Sequence, residues 1–184
     1  SLIKPTAGSI NIFVKPLNEN REDILRNVGA IVEKPDFYLY LSAYKNLEIF
    51  GKLSGADTSK KHIMEMLELV GLAKRYKSKV KTYSHGMKQR LGLAQALLHD
   101  PKLIILDEPT TGLDPQGIKE IRDLILHLSK DKQKTILLSS HILKEVEIIA
   151  NRMIIINKGT TQIEGKVQDL LSKDNLSTEF EIDD

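Results

Sequence analysis

Four consecutive apolar residues, Leu103-Ile104-Ile105-Leu106, run straight into two carboxylates and a proline, Asp107-Glu108-Pro109. No other segment limits the possible folds as much. A short apolar run without polar alternation reads as a strand buried on both faces, and such strands belong to parallel sheets covered by helices. The two carboxylates emerge together at the carboxyl edge of that strand, where open α/β sheets place their ligands. Asp107 is positioned there to hold Mg²⁺, directly or through water. Glu108 can polarise an attacking water. Alone, Asp107-Glu108 would read as a solvated acidic turn; the segments around it change that.

Short apolar runs alternate with amphipathic stretches along the chain, without repeats. Residues 10–14 read as a strand and residues 28–32 as a second, closed off by Lys34-Pro35-Asp36. Asp57-Thr58-Ser59 offers a helix cap, Ile63, Met66, Leu67 and Val70 fall on one helical face, and Gly71 ends that helix. A further helix is predicted over 87–99, stopped by Asp100-Pro101. After Leu103–Leu106 come a helix over 116–129, a strand over 135–139, a helix over 142–149 and a strand over 153–156. This alternation predicts an α/β protein with a mostly parallel sheet and crossover helices. The largely helical stretch 36–98 reads as a subdomain inserted into that core. The expected organisation is an incomplete core part at 1–35, the helical subdomain at 36–98, the main core at 99–165 and a tail at 166–184.

With 27 basic and 25 acidic residues the net charge is +2, which gives no reason to expect nucleic-acid binding driven by bulk charge. The absence of cysteine excludes disulfides, thiol catalysis and cysteine metal sites. No apolar run approaches the roughly 20 residues that span a bilayer, so work at a membrane requires a docking partner. The basic run Lys74, Arg75, Lys77, Lys79 and Lys81 reads as a solvated surface. The acidic tail over 179–184 is expected to fray. His62, His99 and His127 lie in helical stretches and receive no function.

Around Asp107-Glu108 stand three further motifs. Tyr83-Ser84-His85-Gly86-Met87-Lys88-Gln89-Arg90 leads into the helix upstream. Thr110-Thr111-Gly112-Leu113-Asp114-Pro115 follows directly, and Ser139-Ser140-His141 ends the next strand. In this order the motifs resemble the nucleotide-binding domains of ABC transporters over nearly the whole chain. By that resemblance, residues 103–108 are similar to the Walker B strand with its glutamate, 112–115 to the D-loop and His141 to the switch histidine. The family signature Leu-Ser-Gly-Gly-Gln stands here as Tyr83-Ser84-His85-Gly86-Met87, keeping the serine and the second glycine. Ser84 can cap the following helix and offer its hydroxyl to a phosphate. Gly86 lets the backbone approach that anion at a helix N-terminus. His85 reads as a loop histidine facing solvent. The family's glutamine between core and helical subdomain looks like Glu33 here, a residue that can still reach Mg²⁺; its context is similar to the branch that exports antibiotics and other hydrophobic or peptide cargo.

The resemblance implies a P-loop NTPase-type sheet, ATP and Mg²⁺ as cofactors, and a motor subunit peripheral to the cytoplasmic face of the cell membrane. It implies two partners, a membrane permease subunit and a second nucleotide-binding domain, in a homo- or heterodimer. The implied roles are Glu108 and His141 in catalysis, Asp107 and Glu33 at the metal, and Ser84, Gly86 and Asp114 at nucleotide across the dimer. Two other readings stay open: a soluble ABC-type ATPase acting on ribosomes or DNA, and an inactive scaffold. The phosphate-loop pattern Gly-x-x-x-x-Gly-Lys-[Ser/Thr] occurs nowhere in these 184 residues. The segment Leu2 to Ser9 resembles the part of the family that follows that loop, so the expectation is an N-terminally truncated domain. Reading the genomic sequence upstream of Ser1 should reveal the loop; a stop codon beside Ser1 would contradict the expectation.

Overall fold

The computed structural model describes residues 5–32 and 35–171. Glu33 and the tail over 179–184 lie outside the described residues. The chain divides into two compact units, one up to Ser139 and one from Ser140.

The first unit begins with a two-stranded hairpin, β1 (Asn11–Ile12) and β2 (Lys15–Pro16), paired antiparallel. The strand expected over 10–14 is therefore broken at its middle. Phe13 and Val14 form the two-residue turn, with φ of 53° and 61°. Both values positive is the turn geometry that matches strand twist in tight hairpins. The sequence hides it because neither residue is a turn former. A short helix, α1 (Arg21–Leu25), leads to β3 (Val28–Ile31). Strand β3 pairs parallel with β4 (Leu103–Leu106), which pairs parallel with β5 (Thr135–Leu138). The parallel sheet is thus as expected, with the Asp107-Glu108 strand at its centre.

Three longer helices precede β4: α2 (Ala43–Ser54), α3 (Lys60–Leu69) and α4 (His85–Leu97). Each begins with a serine whose Oγ accepts a backbone N–H: Ser42 from Lys45, Ser59 from His62 and Ser84 from Met87. Their apolar faces meet through Leu47, Ile63, Leu67, Leu91 and Ala94, all fully buried. The 16-residue helix α5 (Pro115–Lys130) follows β4 and buries Ile121, Leu124, Ile125 and Leu128. Arg90 joins three of these helices: Nη1 donates to the Val70 carbonyl at 3.3 Å beyond α3 and pairs with Glu120 on α5 at 3.3 Å. Of the histidines assigned no function, His62 on α3 and His99 just beyond α4 bond to backbone, and His127 on α5 pairs with Asp131. His62 Nε2 donates to the Leu98 carbonyl at 2.8 Å and His99 Nε2 to that of Val28 at 3.1 Å.

Helix α4 lies directly on β3. A Cβ at Gly29 would stand 2.2 Å from the Ala96 carbonyl oxygen, and one at Gly92 would stand 2.9 Å from the Pro35 ring. A larger residue at 29 would have to move backbone, and one at 92 would have to displace the Pro35 ring. This packing covers the sheet face of Gly29, Ile31, Ile104 and Leu106, of which Ile104 and Leu106 are fully buried. The other face corrects the sequence reading of a strand buried on both sides. There Leu103 and Ile105 are only half-buried, and their neighbour Leu137 is 58% exposed. Among the described residues of this unit, that face lacks a full helical cover.

In the second unit, α6 (Leu143–Ile149) precedes β6 (Arg152–Asn157) and β7 (Thr160–Lys166), which form an antiparallel hairpin around Lys158-Gly159. A five-residue helix, α7 (Val167–Leu171), follows. The strand read over 153–156 is therefore half of a hairpin. Its partner was missed because Thr160–Lys166 alternates with few apolar residues.

Val14 has a left-handed backbone and a side chain 98% exposed, so it pays strain without packing. A left-handed residue with a Cβ costs roughly 1–2 kcal/mol, against about 0.5–1 kcal/mol for the extra freedom of glycine when unfolded. Val14→Gly should stabilise the full-length protein by up to about 1 kcal/mol, or about 2–4 °C in Tm. Thermal melting checks this; a lower Tm would refute it.

Candidate functional site

The carboxyl ends of β4 and β5 carry the first part of the site. The hydrogen-bond ladder runs one residue past the strands: Asp107 N donates to Ile31 O, and Ser139 N to Leu106 O, both at 2.9 Å. The Ser139 Oγ donates to Asp107 Oδ1 at 2.6 Å and accepts from the Glu108 N–H at 2.9 Å. Glu108 itself has φ 45°, a left-handed value that turns the chain sharply after Asp107. Its carboxylate accepts from Thr111 Oγ1 at 3.0 Å, inside a turn closed by Thr111 N and Glu108 O. Pro109 and Thr110 are buried beneath. The two acidic side chains are half-buried, each accepting one hydroxyl hydrogen bond, Asp107 from Ser139 and Glu108 from Thr111.

The second part is the start of α4. Ser84 Oγ accepts from Met87 N at 3.2 Å, so the capping read from the sequence is present. The departures from the family signature now have structural accounts at two positions. Tyr83 is buried, and its hydroxyl donates to the Arg75 carbonyl at 2.8 Å. Burial pushes the Tyr83 hydroxyl above its ordinary range, so it stays a neutral donor. His85 is exposed, as read from the sequence, but it is also bonded: Nε2 reaches the Thr111 carbonyl at 3.2 Å, which makes that nitrogen the protonated one, and the ring lies against Gly112. Gly86 has no internal need to be glycine. A Cβ there would meet only Leu113 Cδ2, at an ordinary 3.6 Å.

The first unit thus brings Asp107 and Glu108 together, and Thr111 joins them to the Ser84–Gly86 segment through His85. Asp114 caps α5, its Oδ1 accepting from Gly117 N at 3.0 Å. His141 belongs to the second unit, just ahead of α6, beside a turn in which Ser140 Oγ accepts from Ile142 N at 3.1 Å. Sequence reasoning missed Ser139 and Thr111 as partners of the carboxylates. The signal available was a hydroxyl at the end of the strand neighbouring an acidic strand end.

The donor set suits Mg²⁺. Among the described residues no three His, Cys, Asp or Glu side chains cluster to enclose a metal. Mg²⁺ is commonly held by one or two carboxylates together with waters and phosphate oxygens, which Asp107 and Glu108 at a strand end can supply.

A 350 Å³ cleft lies between the start of α4 and the segment 35–39, lined by Pro35, Asp36, Phe37, Leu39, His85, Lys88 and Gln89. Gln89 is 5% exposed, and its Oε1 has no hydrogen-bond partner among the described residues. Beside the cleft, Tyr38, Leu39 and Tyr40 are exposed. The basic run is partly engaged: Lys77 lies over Tyr76, Lys81 over Tyr40, and Arg75 over Tyr83.

The chain belongs to the ABC transporter family, whose profile matches residues 1–111. It is 48% identical over 183 residues to the bacitracin transport ATP-binding protein BcrA of Bacillus licheniformis, covering all of this chain and 60% of that protein. The chain therefore spans about three fifths of that relative's length. Among solved structures it resembles cbiO1 from Clostridium perfringens, part of the ABC transporter complex cbiONQ, with a TM-score of 0.81 and 26% identity over 94% of this chain and 71% of that one. It also resembles the ATP-binding cassette MJ0796, a dimer in a post-hydrolysis state bound to ADP and Pi, with a TM-score of 0.77 and 25% identity over 90% of this chain and 76% of that one.

Because nothing among the described residues requires glycine at 86, Gly86→Ala should not destabilise the chain. Helix propensity should raise stability by up to about 1 kcal/mol. A fall in Tm would show that a demand within the fold has been overlooked.

Proposed function

We propose that this chain supplies most of the ATP-hydrolysing motor domain of an ABC exporter. The observation that carries the reading is the carboxylate pair Asp107-Glu108, fixed at the sheet's carboxyl edge and joined through Thr111 and His85 to a capped helix start floored by Gly86. In this reading Asp107 holds Mg²⁺, with Glu33 as a second contact. Glu108 orients or deprotonates the attacking water. His141 contacts the terminal phosphate. Ser84 and Gly86 face the nucleotide of a second nucleotide-binding domain, and Asp114 links the two sites. The bound Mg²⁺ supplies charge neutralisation for the phosphates. The unfilled space at Gly86 supports an anion approaching from outside the chain, at a helix end that favours negative charge.

No helix among the described residues is long and apolar enough to cross a membrane. In this reading a separate permease subunit provides the path, with this domain docked on its cytoplasmic face. The cleft by Gln89 and the exposed Tyr38, Leu39 and Tyr40 offer an acceptor-bearing apolar surface for that subunit. The kinship with the bacitracin transport protein supports a peptide or other hydrophobic cargo.

In the full-length protein, Glu108→Gln should nearly abolish hydrolysis while leaving ATP binding intact, since the carboxylate acts on water. Steady-state ATPase assays paired with nucleotide binding decide it, and undiminished turnover would remove Glu108 from the chemistry. The 184 residues alone should not bind Mg·ATP tightly, because a phosphate-loop lysine and backbone cradle are missing from their sequence. Calorimetric titration that finds saturable binding at micromolar nucleotide would overturn that expectation.

A further inference from the structure

We propose that Ser139 is a positioning residue for the Asp107-Glu108 pair, setting both the Asp107 carboxylate and the backbone of Glu108 through one hydroxyl. The proposal rests on the reading of that pair as the hydrolytic carboxylates. Register creates the arrangement. Leu106 and Leu138 are paired in adjacent parallel strands, so the next residues, Asp107 and Ser139, leave the sheet side by side. The bond from Ser139 N to Leu106 O keeps β5 in register at this point, which fixes where Cβ and Oγ stand.

A hydroxyl has one proton to give and two lone pairs. Ser139 uses both capacities on consecutive residues. Its proton goes to Asp107 Oδ1 at 2.6 Å, the short distance of a charge-assisted bond. Its lone pair takes the Glu108 N–H at 2.9 Å. The second bond matters because Glu108 has φ 45°, a conformation that residues with a Cβ avoid unless their surroundings impose it. The Glu108 N–H points at Ser139 in that conformation. Thr111 holds the far end of the Glu108 side chain and, through its N–H, the Glu108 carbonyl, but does not reach Asp107 in either bond. Ser139, by bonding to both residues through one hydroxyl, relates the two carboxylates to each other. It orients Asp107 with respect to metal and Glu108 with respect to water, and it touches neither.

The test separates the hydroxyl from side-chain volume, using Ser139→Thr and the nearly isosteric Ser139→Val in the full-length protein. Partners that orient metal-binding side chains typically contribute about 10–100-fold in metal affinity or activity. Ser139→Val should lose about 10–100-fold in kcat, with KM for ATP little changed, and should need more Mg²⁺ to half-saturate binding of a fluorescent ATP analogue. Ser139→Thr should restore both the turnover and the Mg²⁺ dependence. Thermal melting should give similar Tm values for the two variants, which a merely structural role would not combine with different kcat values. If the valine variant shows no cooperative melting, Ser139→Ala takes its place in the same comparison. Full activity and unchanged Mg²⁺ dependence without the hydroxyl, or a threonine variant as impaired as valine, would overturn the proposal. Glu108→Gln run alongside distinguishes the levels. If it is inactive while Ser139→Val is fully active, only the role of Ser139 falls; if it still hydrolyses ATP, the reading of the pair falls with it.

Discussion

The seating of helix α4 against β3 is the contact on which the rest of the first unit depends. It brings a helix carbonyl, that of Ala96, to where a side chain would otherwise stand, and only glycine at 29 permits it. One turn before Ala96, Gly92 leaves room for the Pro35 ring and the Ile31 side chain; at Gly29 the close partner is the helix backbone itself. Backbone this close to backbone leaves no freedom to slide. The far end of the helix, where Ser84, His85 and Gly86 stand, is thereby aimed. Dense interiors transmit such constraints because they hold few voids to absorb a shift. Nearby polar contacts reinforce the seat: His62 satisfies the Leu98 carbonyl and His99 that of Val28.

The candidate site sits where three elements end together. Strand β4 delivers the carboxylates, β5 delivers Ser139, and the turn after Glu108 returns Thr111 to the carboxylate it follows. A conformation disfavoured for glutamate is kept because its neighbours determine it from two sides. Thr111 also accepts the His85 ring proton on its carbonyl, so the residue that departs most from the family signature is bonded to the residue that steadies Glu108. The departure at Tyr83 has its own anchor in the Arg75 carbonyl.

Much of this was legible in the sequence, for identifiable reasons. Leu103–Leu106 needed only composition and its position before Asp107 to be read as the central parallel strand. Ser59 and Ser84 announced helix starts because capping depends on residues three apart. What escaped depends on longer reach or on residues used against their habit. The turn at Phe13-Val14 uses two residues that rarely take positive φ. Burial of β4 on both faces was inferred from four apolar residues, but hydropathy cannot say what covers a sheet, and Leu103 and Ile105 are only half-buried. Ser139 lies 32 residues from Asp107, and strand register alone makes them partners. The solvent-facing reading of His85 holds for its exposure but missed its bond, because the acceptor is a main-chain carbonyl 26 residues away, which no side-chain pattern encodes.

The cap of α4 has a directional consequence. Serine closes the helix with a lone pair, taking the Met87 N–H, and keeps its own hydrogen pointed elsewhere. Aspartate would cap as well, but it would arrive charged and with nothing to donate. At most helix starts the two are interchangeable. Under the proposed function, Ser84 is an acceptor toward its own chain and a donor toward an arriving phosphate, which gives the opening of α4 the character of a socket with a fixed polarity.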